Sequence, residues 1–140
     1  MRFMIIVKAT PESEAAALPS AEDLAEMGRY NEELVKAGVL LAGEGLHPTS
    51  KGARVRFNGK ERTVIDGPFS ESKELVAGFW LIQVKSLHEA IEWAKRIPFR
   101  EDEVEIRQVF ETEEFAASDP TGELRAAEHR LREQVAARQA

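Results

Sequence analysis

The amino-acid sequence predicts an α+β fold built on one antiparallel sheet. Residues 3–7 and 79–84 carry apolar side chains on both alternating faces, as do strands that are covered on two sides. Two segments with helical periodicity each lie between predicted strands. The resulting order is β-α-β-β-α-β, with an inserted β-hairpin and a C-terminal helix. This order is the split βαβ or ferredoxin-like pattern, in which the first and third main strands lie at the centre.

The first half of the chain supplies a strand, a helix and a second strand. Residues 1–8 form the first strand. Residues 20–37 show the periodicity of a helix, with Ser20 as the N-cap and Gly38 as the residue that ends it. Residues 39–42 follow as a short strand.

A β-hairpin is predicted around Asn58-Gly59, because this dipeptide accepts positive φ at both central positions of a type I′ turn. Residues 53–57 and 60–66 are its strands, and we expect it to project from the main sheet. The two-residue loop sets the cross-strand pairs, namely Phe57 with Lys60, Arg56 with Glu61, and Val55 with Arg62. Pro68 has no N–H group, so strand pairing is expected to stop there.

The second half contains the elements that complete the pattern. Residues 78–84 form a strand, and Ser86 with Glu89 forms a capping box that begins the next helix. The remaining elements are helix 87–97, ended by Pro98, strand 104–110, an acidic loop at 111–119 and a thinly apolar helix at 121–139. The sequence thus divides into a domain at 1–110 and a linker with an appended helix at 111–140.

The two predicted helices can cover only one face of the sheet. The apolar side chains on the other face of the central strands would form a patch larger than soluble monomers usually leave exposed. A second copy placed against the same face would cover it and form a dimeric α/β barrel about a two-fold axis. The hairpin and the C-terminal helix are the alternative covers.

Composition disfavours several classes of function. The 140 residues include no cysteine, which excludes disulfides, thiolate metal sites and cysteine nucleophiles. The net charge of −6 disfavours nucleic acid as a partner. No segment resembles a membrane span or a signal peptide, so we expect a cytoplasmic protein. The three histidines lack the spacing of metal ligands, and we expect neither a metal nor a cofactor.

The motif Asp66-Gly67-Pro68-Phe69, with the residues that follow it as far as Glu74, resembles the YCII-related family and in particular its DGPF branch. Residues 37–46, 78–82 and 90–94 resemble the branch's helix-to-strand passage, later strand and later helix. The similarity covers residues 1–110, and residues 111–140 lie outside it.

The resemblance implies a ferredoxin-like fold that dimerises as an α/β barrel. Some members are thought to be enzymes that use a His–Asp dyad, and one is a dehydrochlorinase of an aromatic ring. When aligned on Gly38, the histidine falls near Met27 and the aspartate near Lys36, so this chain departs from the dyad. DGPF relatives also occur beside or fused to sigma factors of the extracytoplasmic-function type, which implies a regulatory association.

Five residues are candidates for a ligand pocket, namely Asp66, His47, Arg54, Tyr30 and Trp80. Asp66 can act as a general base or ligand group, or it can accept backbone hydrogen bonds from residues such as Phe69 or Ser70. His47 can shuttle a proton, or it can be a solvated loop residue.

Arg54 and Arg56 can clamp an anionic ligand, or they can belong to a solvated face paired with Glu61. Tyr30 and Trp80 can line a pocket for an aromatic ligand, or they can belong to the core or a dimer interface. The sequence identifies no catalytic residue.

Three hypotheses of function remain open. The first is a dimeric binding or regulatory module that associates with a partner protein, such as a sigma factor. The second is a small-molecule enzyme of lyase or isomerase type, with a cleft between the sheet and the hairpin near Asp66. The third is a role in assembly without any ligand.

Overall fold

The structure is a computed structural model, and it describes residues 1–70 and 74–139. The last three residues of the motif before Glu74 therefore lie outside the described residues. The chain divides into two compact units, Met1–Gln108 and Val109–Ala140. No helix within the described residues is long and apolar enough to cross a membrane.

The first unit contains three helices and six strands. Its strands are β1 (Arg2–Lys8), β2 (Leu40–Gly45), β3 (Ala53–Asn58), β4 (Glu61–Asp66), β5 (Val76–Gln83) and β6 (Val104–Gln108). Its helices, counted within the described residues, are α1 (Pro11–Glu14), α2 (Ala21–Lys36) and α3 (Leu87–Lys95). Helix α1 and a 3-10 turn at Thr49–Lys51 have no counterpart in the sequence prediction.

The main sheet has the strand order β2-β5-β1-β6, and every pairing in it is antiparallel. The strands that α2 connects, β1 and β2, are separated by β5, and those that α3 connects, β5 and β6, are separated by β1. This is the predicted split βαβ arrangement, with the first and third main strands at the centre. The α+β class and the antiparallel sheet are therefore confirmed.

One face of the sheet carries the hydrophobic core. Phe3 pairs with Ile82 and Ile5 with Trp80, so these four side chains lie on one face. They are buried in one cluster with residues of both α2 and α3, namely Tyr30, Leu34 and Ala90. The opposite face of the same two strands presents half-buried apolar side chains, namely Met4, Ile6, Phe79 and Leu81.

The helix termini follow the capping signals of the sequence. The Ser20 hydroxyl accepts the N–H of Asp23 at 3.1 Å, and Gly38 takes φ of +72° after α2. The Ser86 hydroxyl accepts the N–H of Glu89 at 3.1 Å. The Glu89 carboxylate accepts the N–H of Lys85 at 2.9 Å, one residue before the position that a capping box uses.

The hairpin forms, but its predicted register is wrong, because the turn lies one residue further along the chain and each cross-strand partner is displaced by two residues. Asn58 pairs with Glu61 and Phe57 with Arg62, so the loop is Gly59-Lys60. Gly59 takes φ of +62°, while Lys60 does not take positive φ. Glycine at the first of two central positions is the requirement of a type II′ turn, which competes with the predicted type I′ turn for the same sequence.

The change of register alters which side chains are opposite each other. Val55 lies opposite Val64 instead of Arg62, and Arg56 lies opposite Thr63 instead of Glu61. The predicted Arg56–Glu61 cross-strand ion pair is therefore absent. The guanidinium of Arg62 lies 4.6 Å from the ring centroid of Phe57, its new cross-strand neighbour.

The Asp-Gly-Pro-Phe motif forms a tight structural junction. A Cβ atom on Gly67 would lie 1.7 Å from the carbonyl oxygen of Thr49, so only glycine fits against this turn. The peptide between Gly67 and Pro68 is cis. The N–H of Phe69, one of the partners suggested for Asp66, donates instead to Thr49 Oγ1 at 3.0 Å.

Thr49 also holds helix α1. Its N–H donates to Glu14 Oε2 at 2.9 Å, and its hydroxyl donates to Glu14 Oε1 at 2.5 Å. One threonine therefore joins α1, the 3-10 turn and the motif. Since charge-assisted hydrogen bonds are stronger than neutral ones, this junction fixes the base of the hairpin.

The second unit contains a 3-10 segment, Thr112–Ser118, and helix α4, Glu123–Gln139. The 3-10 segment lies where the sequence predicts a loop. The carboxylate of Asp119 accepts the N–H groups of Leu124 and Arg125 at the start of α4. The backbone and side chain of Arg125, together with the Leu124 N–H, hold the pKa of Asp119 below its ordinary value.

Replacement of Gly67 by alanine is expected to lower the free energy of unfolding by about 1–3 kcal/mol, because the new methyl group overlaps the Thr49 backbone. Gly28→Ala is the matched control. Gly28 lies within α2 with nothing within 4 Å of its Cβ position, so alanine should stabilise by about 0.5–1 kcal/mol. Urea denaturation measures both, and equal effects of the two substitutions would contradict the junction.

Candidate functional site

A cavity of about 270 Å³ lies between α2 and the adjoining ends of β2 and β5. It opens on the face of the sheet that carries the core. Its lining residues come from five separate segments of the first unit, namely Val7, Met27 and Asn31, Gly43 to Gly45, Ala77 to Trp80, and Phe99.

Trp80 is the central side chain of the cavity wall. Its indole Nε1–H donates to Asn31 Oδ1 at 2.8 Å, which ties α2 to strand β5. Its ring meets Tyr30 edge to face with centroids 5.6 Å apart, and Phe99 in a tilted arrangement at 6.2 Å. Contacts of this kind stabilise aromatic clusters beyond their buried area, so the indole is held in one orientation.

Glycine residues provide the space at the floor of the cavity. A Cβ atom on Gly43 would lie 3.0 Å from Trp80 Cδ1, and one on Gly78 would lie 2.8 Å from the Glu44 carbonyl oxygen. The Cβ position of Gly45 has nothing within 4 Å. Gly45 pairs with Gly78 across the two strands, so a side chain is missing from both at the same point of the sheet.

The cavity has little capacity for acid–base chemistry. Glu44 is the one ionisable residue among the described residues that line it. Glu44 pairs with Phe79, and because strand residues alternate, both side chains point to the face opposite Trp80. Met27 also lines the cavity, and a thioether cannot transfer a proton.

Asn31 is the polar side chain that remains available to a ligand. Its Oδ1 atom accepts the indole hydrogen of Trp80. Its Nδ2 group makes no hydrogen bond within residues 1–70 and 74–139, so it can donate to an acceptor in the cavity. An apolar cavity with one oriented donor is the usual pattern of a small-molecule site.

Tyr30 lies behind the cavity wall and is only 4% exposed. Its hydroxyl donates to the carbonyl oxygen of Trp93 at 2.8 Å, which joins α2 to α3. Burial raises the pKa of Tyr30 to about 12; Arg96 opposes this rise and Glu33 adds to it. The phenol is therefore protonated at neutral pH and serves as a structural donor.

Two of the five candidate residues lie together in the structure, and the other three do not line the cavity. Tyr30 and Trp80 are in contact in the core, and Trp80 lines the cavity. Arg54 belongs to the hairpin, where its guanidinium stacks 3.8 Å from the ring centroid of Phe69. Asp66 at the end of β4 and His47 after β2 are exposed, and neither lines the cavity beside Trp80.

Sequence reasoning missed the residues that shape the cavity. Asn31 and Met27 lie on the predicted helix 20–37 and Phe99 lies between two predicted elements, but no spacing rule places them around one indole ring. Gly43 and Gly45 did give a signal, since two glycines with period 2 remove side chains from one face of a strand. That pattern predicts a gap on one face of the strand, but it does not show which residues surround the gap.

No group of three or more His, Asp or Glu side chains that could hold a metal ion occurs in the part of the chain that the structure describes.

Comparison with known proteins gives three similarities. The YCII-related domain family matches residues 1–113. An uncharacterised protein of Rhizobium meliloti (strain 1021) is 37% identical over 87 residues, which cover 60% of this chain and 70% of that protein.

A solved structure is also similar, that of 5-chloro-2-hydroxyhydroquinone dehydrochlorinase from Burkholderia phenoliruptrix AC1100 in complex with 2,5-dihydroxybenzoquinone. It is 17% identical, with a TM-score of 0.44, and the match covers 79% of this chain and 94% of that one.

Because Tyr30 is the single tyrosine of the chain, its titration directly tests whether its hydroxyl is buried and hydrogen-bonded. Ultraviolet absorbance of the tyrosinate should report a pKa of about 12 in the folded protein. The contribution of Tyr30 to the free energy of unfolding should be constant below pH 10 and should fall as the pH rises towards 12, because the unfolded chain loses this proton first. Tyr30→Phe should remove this tyrosine-linked loss and cost about 1 kcal/mol at neutral pH. Titration near pH 10 would contradict the buried hydrogen bond.

Proposed function

The chain belongs to the YCII-related family, and we propose that it is a dimeric, non-catalytic binding module for a small, neutral aromatic molecule. The observation that carries the proposal is the cavity beside Trp80, which has aromatic walls and no ionisable side chain directed into it.

The dimensions of the cavity favour a single ring. An apolar cavity of about 150 Å³ accommodates benzene, so the volume of about 270 Å³ here holds a six-membered ring with one or two substituents. Trp80 and Phe99 supply aromatic surfaces on which such a ring can pack. The absent side chains at Gly45 and Gly78 leave the floor open for it.

The electrostatics of the cavity favour an uncharged ligand. Burial of a charge without a partner is strongly unfavourable, and no side chain that faces the cavity carries a charge. Asn31 Nδ2 can donate a hydrogen bond to a hydroxyl or carbonyl oxygen on the ring. Arg54, which the sequence suggested as a clamp for an anion, is engaged with Phe69 instead.

The same side chains argue for binding without acid–base catalysis. General acid–base chemistry needs a titratable group within hydrogen-bond reach of the ligand, and Met27 stands where the resemblance places a histidine. The alternative is an enzyme of lyase or isomerase type with its cleft near Asp66. The carboxylate of Asp66 has no hydrogen-bond partner within residues 1–70 and 74–139, so both sites enter the test below.

Dimerisation through the open face of the sheet is part of the proposal. Met4 lies opposite Leu81 and Ile6 opposite Phe79, so four large apolar side chains form a continuous block on the face away from α2 and α3. Charged residues flank this block on both sides, with Glu105 paired to Ile6 on β6 and Glu44 paired to Phe79 on β2. An apolar centre with a polar rim is the arrangement of protein interfaces. The association with a sigma factor stays a prediction of the resemblance alone.

Wild-type protein is expected to bind phenol with a dissociation constant on the order of 1 mM, as suits a ligand of so few atoms. Benzoate should bind at least about tenfold more weakly than phenol, because its charge is not compensated in the cavity. Cyclohexanol should also bind at least about tenfold more weakly, because it lacks a π face. Isothermal titration calorimetry measures all three. Equal or tighter binding of benzoate would contradict the neutral site.

Two substitutions locate the binding site. Gly45→Leu adds a side chain where nothing lies within 4 Å, so it should abolish phenol binding without lowering the melting temperature. Asp66→Asn should leave phenol binding unchanged. If instead Asp66→Asn abolishes binding and Gly45→Leu does not, the alternative cleft is the site.

Leu81→Lys is expected to convert the dimer into a monomer, since it places a charge at the centre of the sheet interface. The matched control is Leu18→Lys, because Leu18 is 92% exposed in the single chain and lies outside the sheet. Sedimentation equilibrium distinguishes the two species. A wild-type protein that stays monomeric at micromolar concentration would contradict dimerisation.

A further inference from the structure

Within the described part of the chain, the hairpin of β3 and β4 has no extensive contact with another helix or strand. Its strands pair only with each other and form a separate two-stranded sheet. Every residue of the two strands is exposed except Ile65, which is half-buried. Isolated two-stranded hairpins are marginally stable in water, so a hairpin of this length normally packs against another surface.

One face of the hairpin is apolar. Val55 and Val64 are directly opposite each other, and Phe57 is the next residue along on the same face. Their exposed fractions are 50%, 65% and 68%, respectively. Arg62 completes this face at the tip and covers one side of the Phe57 ring. A contiguous apolar patch with a cation at its edge is typical of a docking surface.

The base of the hairpin is fixed, so the apolar face is presented in one orientation. The N–H of Gly67 donates to the Gly52 carbonyl oxygen at 3.0 Å and closes the base. Arg54 stacks on the ring of Phe69, and the N–H of Phe69 donates a hydrogen bond to Thr49 Oγ1. A preorganised surface loses less conformational entropy on binding than a mobile loop does.

The charge of the hairpin is opposite to that of the rest of the chain. Residues 53–66 contain four basic and two acidic side chains, a net charge of +2. The whole chain carries −6, so the remaining residues carry −8. Complementary charge favours encounter between the hairpin of one copy and the acidic surface of another.

The outward face of helix α2 has the matching properties. Leu24 and Val35 are exposed on it, and Glu32 lies on the same side of the helix between them. The helix as a whole has five acidic and two basic side chains, a net charge of −3. It therefore combines exposed apolar side chains with the charge that a basic hairpin requires.

We propose that the hairpin docks on α2 of a second copy of this chain, with Val55, Phe57 and Val64 on the apolar residues and Arg62 beside Glu32. Because both surfaces lie on every copy, two copies can exchange hairpins about a two-fold axis, and each contact is then made twice. This interface is separate from the open face of the sheet. Copies that have dimerised through the sheet can therefore associate further through the hairpin and α2.

The first test removes the apolar contact. Phe57→Ser should weaken this association step by about tenfold or more, as truncation of a central interface aromatic does. Thr63→Ala is the matched control, since Thr63 lies on the opposite face of the same hairpin and should leave the association unchanged. Sedimentation velocity across a concentration series measures both. An unchanged association constant for Phe57→Ser would overturn the proposal.

The second test exchanges the charges. Arg62→Glu and Glu32→Arg should each weaken self-association, because each one places like charges together. An equimolar mixture of the two variants should recover it, since the hairpin of each then faces an opposite charge on α2 of the other. Recovery in the mixture, and in the double variant alone, supports the contact.

If the hairpin packs on a surface other than α2 of a second copy, the same experiments give different results. If the mixture fails to recover association, α2 is not the docking surface and the proposal is wrong. If Phe57→Ser changes the sedimentation coefficient at constant mass, the hairpin packs on its own chain, which also overturns the proposal. In a protein that also carries Leu81→Lys on the open face of the sheet, Phe57→Ser should weaken the hairpin association step by the same factor.

Discussion

The hydrogen bond from the Trp80 indole to Asn31 joins helix α2 to the centre of the sheet, and the shape of the cavity depends on it. Tyr30 and Phe99 contact the same indole ring, and the absence of a side chain at Gly43 leaves room for it. With the ring fixed, the missing side chains of β2 and β5 leave a space that nothing in the core fills.

The chemistry of this space follows from which residues surround it. Aromatic rings and a thioether make it apolar, and the alternation of strand residues turns the one lining carboxylate to the other face. A site of this kind selects a ligand by shape and by one hydrogen bond. Family membership does not determine this chemistry, which depends on the residues that line the cavity.

Local signals in the sequence predicted local structure well. Ser20, Gly38 and Ser86 mark helix termini because capping bonds form between neighbours in the chain. The hairpin register failed because Asn58-Gly59-Lys60 permits two turns that differ by one residue, and the choice between them depends on small differences in backbone energy. The cavity could not be predicted, since it needs the relative positions of Asn31, Trp80 and Phe99, which are far apart in sequence.

The central claim is that an aromatic ligand binds against Trp80, and the indole resonances of the two tryptophans test it directly. In a two-dimensional ¹⁵N–¹H spectrum, titration with phenol should shift the Nε1–H signal of Trp80, because the aromatic ring of the ligand packs beside the indole and its oxygen binds the same Asn31 amide that accepts the indole hydrogen. The Trp93 signal should stay in place, since Trp93 does not line the cavity. A saturable shift of Trp80 alone supports the account. No shift of the Trp80 indole at saturating phenol, or a shift confined to Trp93, would contradict it.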